Sequence, residues 1–353
     1  MSETVLVTGG AGYIGSHACK ALALAGYRPV AYDNLVHGHR WAVRWGPLEE
    51  GELADGERLD AVIQAHRPTA VLHFAAYTAA GESVAEPGKY YANNVYGLLS
   101  LLGAMRRARL DRLVFSSTAA VYGTPRHVPI DEQHPQAPIN PYGASKMMAE
   151  RLLADFAAAH GIRSVALRYF NAAGADPAGE IGEAHDPETH LIPIVLEAAA
   201  GIRREVAVFG DGYDTRDGTC VRDYVHVADL ADAHVLALRW LAGQGGAHAF
   251  NLGNGQGFTV REVIEAARRV TGRHIAMRVE GARAGDPATL VADSARACAV
   301  LGWRPRRQAL DTQLTDAWRW LAGRRGIVAE DAAEPARRLA SGWSGAHAIG
   351  LTS

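Results

Sequence analysis

Thr4-Val5-Leu6-Val7-Thr8-Gly9-Gly10-Ala11-Gly12-Tyr13-Ile14-Gly15 decides how the rest of the chain is read. A short β-branched run enters a turn with glycines at 9, 12 and 15, and a helical pattern follows to residue 25. Such a turn points its amides and the helix N-terminus outward, where the positive end of the backbone dipole attracts an anion. Without side chains at those three positions a pyrophosphate can approach the backbone closely. A glycine triplet alone is weak evidence for a dinucleotide site; here the preceding strand and the following helix agree with it.

Working outward, the next strand is predicted at 28–32 and ends at Asp33. Asp33 can accept hydrogen bonds from an adenosine ribose, and its charge repels a 2′-phosphate, which favours NAD over NADP. Without the glycines it reads as a turn or cap residue. Further strands are predicted at 70–74, 112–116 and 164–168, with helices at 94–107 and 142–160. This alternation implies an α/β fold, a Rossmann-type doubly wound parallel sheet with helices on both faces.

After Asn171 the texture changes. Gly, Pro, Asp and His crowd the stretch to His190, and helices are predicted at 191–200 and 260–271. The expected organisation is a dinucleotide-binding domain over 1–170, rejoined by a segment around 219–241, and a smaller α/β substrate domain over 171–328. Residues 329–353, rich in Ala, Gly and Ser, read as a loosely held C-terminal tail.

Composition excludes several function classes. The 353 residues are 48% hydrophobic and 21% charged, with a net charge of -2, so the chain reads as globular with no surface built for nucleic acid. No apolar stretch approaches the roughly 20 residues of a membrane span, and no signal-peptide pattern opens the chain. Cys19, Cys220 and Cys298 read as reduced thiols, so a cytoplasmic location is expected. The 15 histidines look scattered, without His-Glu-x-x-His or paired ligand spacing, so no metal is expected.

Tyr142-Gly143-Ala144-Ser145-Lys146 places a phenol and an ammonium on one helical face. A free phenol titrates near about pH 10, and a neighbouring ammonium would lower that enough for the phenolate to take a proton from an alcohol. An amphipathic helix face gives the same spacing, but the only lysines are Lys20, Lys89 and Lys146, and one of them stands here. Ser116-Ser117-Thr118 ends the strand before this helix, with a hydroxyl to offer the reacting oxygen.

The chain resembles the extended short-chain dehydrogenase/reductases, and among them the UDP-glucose/UDP-galactose 4-epimerase family. The segments carrying the likeness are Gly9–Gly15 with Ser16-His17, Asp33-Asn34-Leu35, Gly81-Glu82-Ser83-Val84, Asn93-Asn94-Val95, Arg168-Tyr169-Phe170-Asn171 and Val221-Arg222-Asp223-Tyr224-Val225-His226-Val227. They span residue 5 to about 303, most of the chain. The resemblance implies a C4 epimerase that keeps its NAD and forms a 4-keto sugar. Tyr142 would be the base, Lys146 its tuning cation, and Thr118 the aid to proton transfer. NAD would meet Gly9, Gly12, Tyr13, Ile14, Gly15, Asp33, Asn34, Glu52, Leu53, Phe74, Ala75, Ala76, Asn93, Ser116, Tyr142, Lys146 and Phe170. The UDP-sugar would meet Thr118, Tyr142, Asn171, His190, Leu191, Phe209, Arg222, Arg283, Asp286 and Leu290. Taken one at a time, the arginines read equally as surface ion pairs.

Departures from the family pattern are Glu52 for Asp, Thr78 where some members carry Lys, and Leu290 where a bulky Tyr often restricts the sugar pocket. Leu290 leaves open UDP-glucose/galactose, UDP-xylose/arabinose and N-acetylhexosamine forms. Ala119-Ala120 after Thr118 speaks against a sugar dehydratase, which carries an acidic pair there; a dinucleotide-sensing regulator would lack the Tyr142/Lys146 pair. Val95, Leu98, Leu99, Leu101, Leu102 and Met105 wrap more than one face of a helix, from which a homodimer is expected.

Overall fold

A computed structural model describes residues 2–283 and 286–327. The expected tail at 329–353 lies outside the described residues. Among the described residues thirteen strands follow in chain order: β1 Thr4–Thr8, β2 Arg28–Asp33, β3 Leu48–Glu50, β4 Ala70–His73, β5 Arg112–Thr118, β6 Arg163–Tyr169, β7 Asn171–Ala173, β8 Val206–Phe209, β9 Val221–His226, β10 Ala247–Leu252, β11 Gly257–Thr259, β12 Met277–Glu280 and β13 Thr289–Leu290. Seven of them form one parallel sheet in the order β10-β6-β5-β4-β1-β2-β3. The order reverses at β1, so a crevice opens beyond the carboxyl ends of β1 and β4, where such sheets take their ligands.

The inner strands β1, β4, β5 and β6 are buried almost throughout, as expected for parallel strands covered by helices on both faces. One apolar layer joins Leu22, Val114, Leu167, Leu238 and Trp303; the other joins Leu59, Leu101, Leu113, Phe115 and Leu153. The helix Tyr13–Leu24 packs beside Val227–Leu241 on the first face. Gly97–Arg107 and Pro141–His160 cover the second face together with Gly56–His66. That last helix lies in a stretch that carried no sequence prediction; Asp55 caps it by accepting from Arg58 N at 2.9 Å, and Leu59, Val62 and Ile63 are its buried stripe.

The helix expected at 94–107 starts differently. Residues Tyr91–Tyr96 form a π-helical turn and the regular helix begins at Gly97. The wider turn carries Asn94 inward, where its amide bonds both Tyr77 N and Tyr77 O at 3.0 Å and Ser145 Oγ at 3.0 Å. Widened turns of this kind recur at functional sites.

Beyond Asn171 the chain builds two smaller sheets. In one, β9 pairs with β7, β11 and β13; in the other, β8 pairs with β12. They share a core of Ile192, Val195, Tyr224, Val263, Ile264 and Leu314. The chain crosses back twice: Val227–Leu241 packs on the large sheet and β10 extends that sheet beside β6.

Candidate active site

The glycine turn behaves as its sequence demands. Gly9 has φ +73°, and a Cβ there would lie 2.6 Å from Ala75 N; a Cβ on Gly15 would collide with Gly9 O. These two glycines are required by the protein's own packing. Gly12 is different: a Cβ there would meet only Gly9 O, at 3.3 Å, so its missing side chain leaves a cradle before the helix N-terminus. Asp33 at the end of β2 accepts from Ala11 N at 3.0 Å and Leu35 N at 2.8 Å, which ties the turn to the neighbouring strand. Burial raises its carboxyl above the usual range, against those two backbone bonds.

Other expected dinucleotide contacts surround this cradle. Phe74 and Ala75 follow β4, their amides both donating to Thr8 O, and Ala76 continues the wall half-buried. Asn34 is exposed and donates to Glu52 Oε2 at 3.0 Å, while Leu53 is buried against the second apolar layer. Ile14 packs into the first layer, and Tyr13 OH donates to Gly174 O at 2.6 Å. Thr78 is exposed. Asn93 bonds Asn94 Oδ1 at 3.0 Å; the inward amide in this pair is Asn94, which was not among the expected site residues. The residues present therefore fit a dinucleotide: a backbone anion cradle, an acidic strand end and a wall of mostly small residues.

The Tyr142, Lys146 and Thr118 side chains gather at the carboxyl end of β5. Asn140 caps the helix by accepting from Gly143 N at 2.8 Å, so Tyr142 stands in its first turn, at the positive end of the dipole. Gly143 permits the approach: a Cβ there would lie 2.5 Å from Ala120 O. Thr118 Oγ1 accepts from Ala120 N at 3.1 Å, which leaves its own proton for the Tyr142 oxygen. Lys146, 3% exposed, donates to Ser116 O at 2.8 Å, with its ammonium 4.7 Å from the Phe115 ring centroid.

The charge balance differs from the sequence expectation. Burial pushes the Tyr142 phenol up, opposed by the Thr118 hydrogen bond, and Lys146 is not among the influences on it. Burial also lowers Lys146, to about 7, with the Glu150 carboxylate opposing. The expectation that spacing alone would give a low phenol neglected desolvation, which acts on both groups at once.

A polar network braces this floor. Glu150 takes a two-point ion pair from Arg168, at 2.6 Å for the closest contact, and accepts from Ser117 Oγ at 2.5 Å. Arg168 reaches Tyr122 OH at 2.9 Å, and Tyr122 donates to Asn251 of β10 at 2.7 Å. Arg168 thus joins helix, sheet and loop instead of facing the crevice. Phe170 packs with Met147 and Leu290 against Tyr122, and Ser116 Oγ bonds Tyr169 OH.

Apart from Thr118 and Tyr142, the expected substrate residues lie on or beside the smaller sheets. Asn171 begins β7 and is half-buried; Leu290 ends β13, in register with Arg222 of β9. Arg222 donates to Asp286 Oδ1 at 2.8 Å and Pro287 O at 2.9 Å. Arg283 is exposed, its guanidinium 3.7 Å from the Phe209 ring centroid. Leu191 opens the helix Leu191–Ala199, and His190 precedes it with its ring turned toward Glu183 and Glu188. The histidines are thus less scattered than the sequence suggested: His185 and His190 meet Glu183 and Glu188 in one cluster. A Glu-x-His pair repeated five residues later was the signal.

Residues 5–253 match the NAD dependent epimerase/dehydratase family. The chain is 54% identical to the UDP-glucose 4-epimerase of Rhizobium leguminosarum bv. trifolii over 320 residues, 91% of this chain and 98% of that protein. It superposes on UDP-glucose 4-epimerase from Brucella ovis in complex with NAD with a TM-score of 0.88 and 53% identity, covering 90% of this chain and 98% of that one. The Stenotrophomonas maltophila UDP-glucose-4-epimerase with bound NAD and formylated UDP-arabinopyranose gives 0.89 and 42%, covering 92% and 100%.

Proposed function

The chain belongs to the NAD dependent epimerase/dehydratase family, and on that premise we propose that it interconverts UDP-glucose and UDP-galactose by epimerisation at C4, through a 4-keto sugar, with NAD as its resident cofactor. The observation that carries this reading is Tyr142 in the first turn of its helix, held close to the end of β5 through Gly143, with Lys146 buried one turn along the same helix. When bound, NAD supplies a hydride acceptor and donor. Gly12 and the helix start behind it hold the pyrophosphate, Asp33 the adenosine ribose, and Lys146 the nicotinamide ribose.

Tyr142 takes the proton of the sugar 4-hydroxyl and later returns it. Thr118 donates to the phenol oxygen and favours its anionic form, and the helix dipole adds to this. Arg222 and Arg283 hold the diphosphate, whose oxygens match guanidinium forks. Phe209, Asp286, Leu191, His190 and Asn171 frame the nucleotide sugar, and Leu290 leaves room beside it for the ring to turn. In this reading the large sheet with its helices is the NAD-binding part, and the two smaller sheets are the sugar-nucleotide part.

We further propose a cytoplasmic homodimer. Leu98, Leu101, Leu102 and Met105 are fully buried within the chain, so the apolar wrap expected to need a partner is mostly satisfied internally. What is left for a second copy is a patch of Tyr96, Leu99 and Met148, exposed by 56%, 41% and 41%. Free Cys19, Cys220 and Cys298 fit a reducing compartment; recovery from another cell fraction would refute that placement. No helix among the described residues is long and apolar enough to cross a membrane.

The test is incubation of the purified protein with UDP-glucose or UDP-galactose and no added cofactor, with chromatography of the products. Interconversion is expected, with about one NAD released per chain on denaturation. Net NADH release, or NADP in the extract, overturns the reading; a monomeric mass in light scattering of the same sample overturns the dimer.

A further inference from the structure

Four side chains of one stretch, Glu183-Ala184-His185-Asp186-Pro187-Glu188-Thr189-His190, turn toward a common point. His185 Nδ1 lies 3.0 Å from Glu183 Oε1, and His190 Nδ1 lies 2.9 Å from the same oxygen and 3.0 Å from Glu188 Oε1. One donor atom of each residue falls within 4.8 Å of the other three. The two carboxylates are 9% and 4% exposed, and among the described residues their only ion-pair partners are these imidazoles. Two carboxylates drawn together out of water need positive charge between them. One divalent cation supplies it and leaves both imidazoles neutral.

We propose that Glu183, His185, Glu188 and His190 form a four-ligand binding site for a divalent cation of the borderline class, Zn²⁺ or Co²⁺. The donor set decides the class: two imidazole nitrogens and two carboxylates suit zinc-like ions, whereas Mg²⁺ and Ca²⁺ take oxygen alone. Bonds of about 2.0–2.2 Å place neighbouring donors of a tetrahedron about 3.4 Å apart. That separation falls between the 2.9 Å contact and the 4.8 Å spread, so small side-chain rotations complete the coordination.

The backbone carrying the ligands is braced both from within the loop and from outside it. Glu188 Oε1 accepts from Thr189 N at 2.7 Å and His190 N at 2.8 Å, which leaves Oε2 for an ion; Trp320 Nε1 donates to Glu183 O at 3.0 Å. Such outer bonds orient ligands in metal sites. His185 also borders a small cavity with Ala11, Gly12, Tyr13 and His37. The ion would therefore lock the loop between the glycine turn and the helix Leu191–Ala199, a structural role separate from proton transfer at Tyr142.

The experiment uses the full chain stripped by a chelator and titrated with Zn²⁺ or Co²⁺ alone. About one ion per chain is expected, with visible absorption from bound Co²⁺ and a thermal midpoint that rises with metal concentration. His185→Ala and Glu188→Gln should each weaken binding at least about tenfold, whereas His127→Ala, outside the cluster, should bind as wild type. The proposal fails if wild type takes up no stoichiometric ion, which would leave the cluster a plain imidazolium-carboxylate ion-pair box. It fails equally if Mg²⁺ competes on par or if the cluster variants, folded by circular dichroism, bind undiminished.

Discussion

At the carboxyl edge of the large sheet the groups assigned to proton transfer are sunk into the protein and tied to its backbone: Lys146 to Ser116 O, Thr118 to Ala120 N, and the helix bearing Tyr142 to the turn through Gly143. On the smaller sheets the groups assigned to the substrate stand nearer to solvent. Arg222 bridges β9 to Asp286 and Pro287, and Arg283 is exposed, with a single aromatic face beneath it. The contrast fits the work proposed for each region. A proton moves only between atoms held at fixed distance, so its groups are immobilised before substrate arrives. A diphosphate must enter and leave, and guanidinium forks at strand ends can grip it without being buried themselves.

The sharpest way to break this comparison is to remove chemistry without removing grip. Tyr142→Phe should lower turnover by about 10²–10⁴-fold while UDP binding by calorimetry stays near wild type. Lys146→Ala should also lose activity, because it removes the group assigned to the nicotinamide ribose, and its turnover should fall together with NAD retention, measured after denaturation. If Tyr142→Phe epimerises at the wild-type rate, the catalytic assignment is wrong whatever the fold.

A smaller effect is expected at the arginines, and in a different parameter. Arg222→Ala should raise KM about 10–100-fold, the equivalent of a charge-assisted hydrogen bond of about 1.5–3 kcal/mol, and leave kcat largely intact. Arg283→Ala should raise KM less, since its guanidinium is exposed and screened. Equal losses from the two, or losses confined to kcat, would erase the distinction between the regions.

The smallest effect sharpens the comparison through stability. Burial lowers His73 to about 3 and His17 and His234 to about 4, all packed around the large sheet. Their neutral forms favour the fold above the ordinary imidazole value of about 6.5, and that contribution is lost as pH falls from there through 4. Asp223 on the smaller sheet, raised to about 6 by burial, works in the opposite sense, its protonation partly offsetting the loss as pH falls through 6. The thermal midpoint should therefore drop between pH 6.5 and 4. His234→Leu should flatten the drop, since it removes a buried imidazole whose Nε2 has no partner. An unchanged slope in that variant would refute the account.

Legibility in the sequence followed the range of the interactions. The strand-turn-helix at Thr4–Gly15, the Asp33 strand end and the Tyr142/Lys146 helix are local patterns, and the structure forms each of those elements where it was read. The helix Val260–Thr271 likewise carries its own start and stop, a capping box of Thr259 and Glu262 and a left-handed Gly272. Asn94 was missed because a π-helical turn has no composition signature; the tertiary partners Tyr77 and Ser145 hold it inward. The Glu150–Arg168–Tyr122–Asn251 chain escaped for a related reason, since its members stand up to 129 positions apart.

The sequence by itself determined the fold class, the glycine turn and the placing of Tyr142 and Lys146 on one helical face, because backbone geometry and periodicity over a dozen residues suffice to specify them. Only the tertiary structure decided how those groups are charged. Desolvation raises the Tyr142 phenol and lowers Lys146 to about 7, and the cost of burying a charge depends on every atom packed around it, which no local spacing encodes.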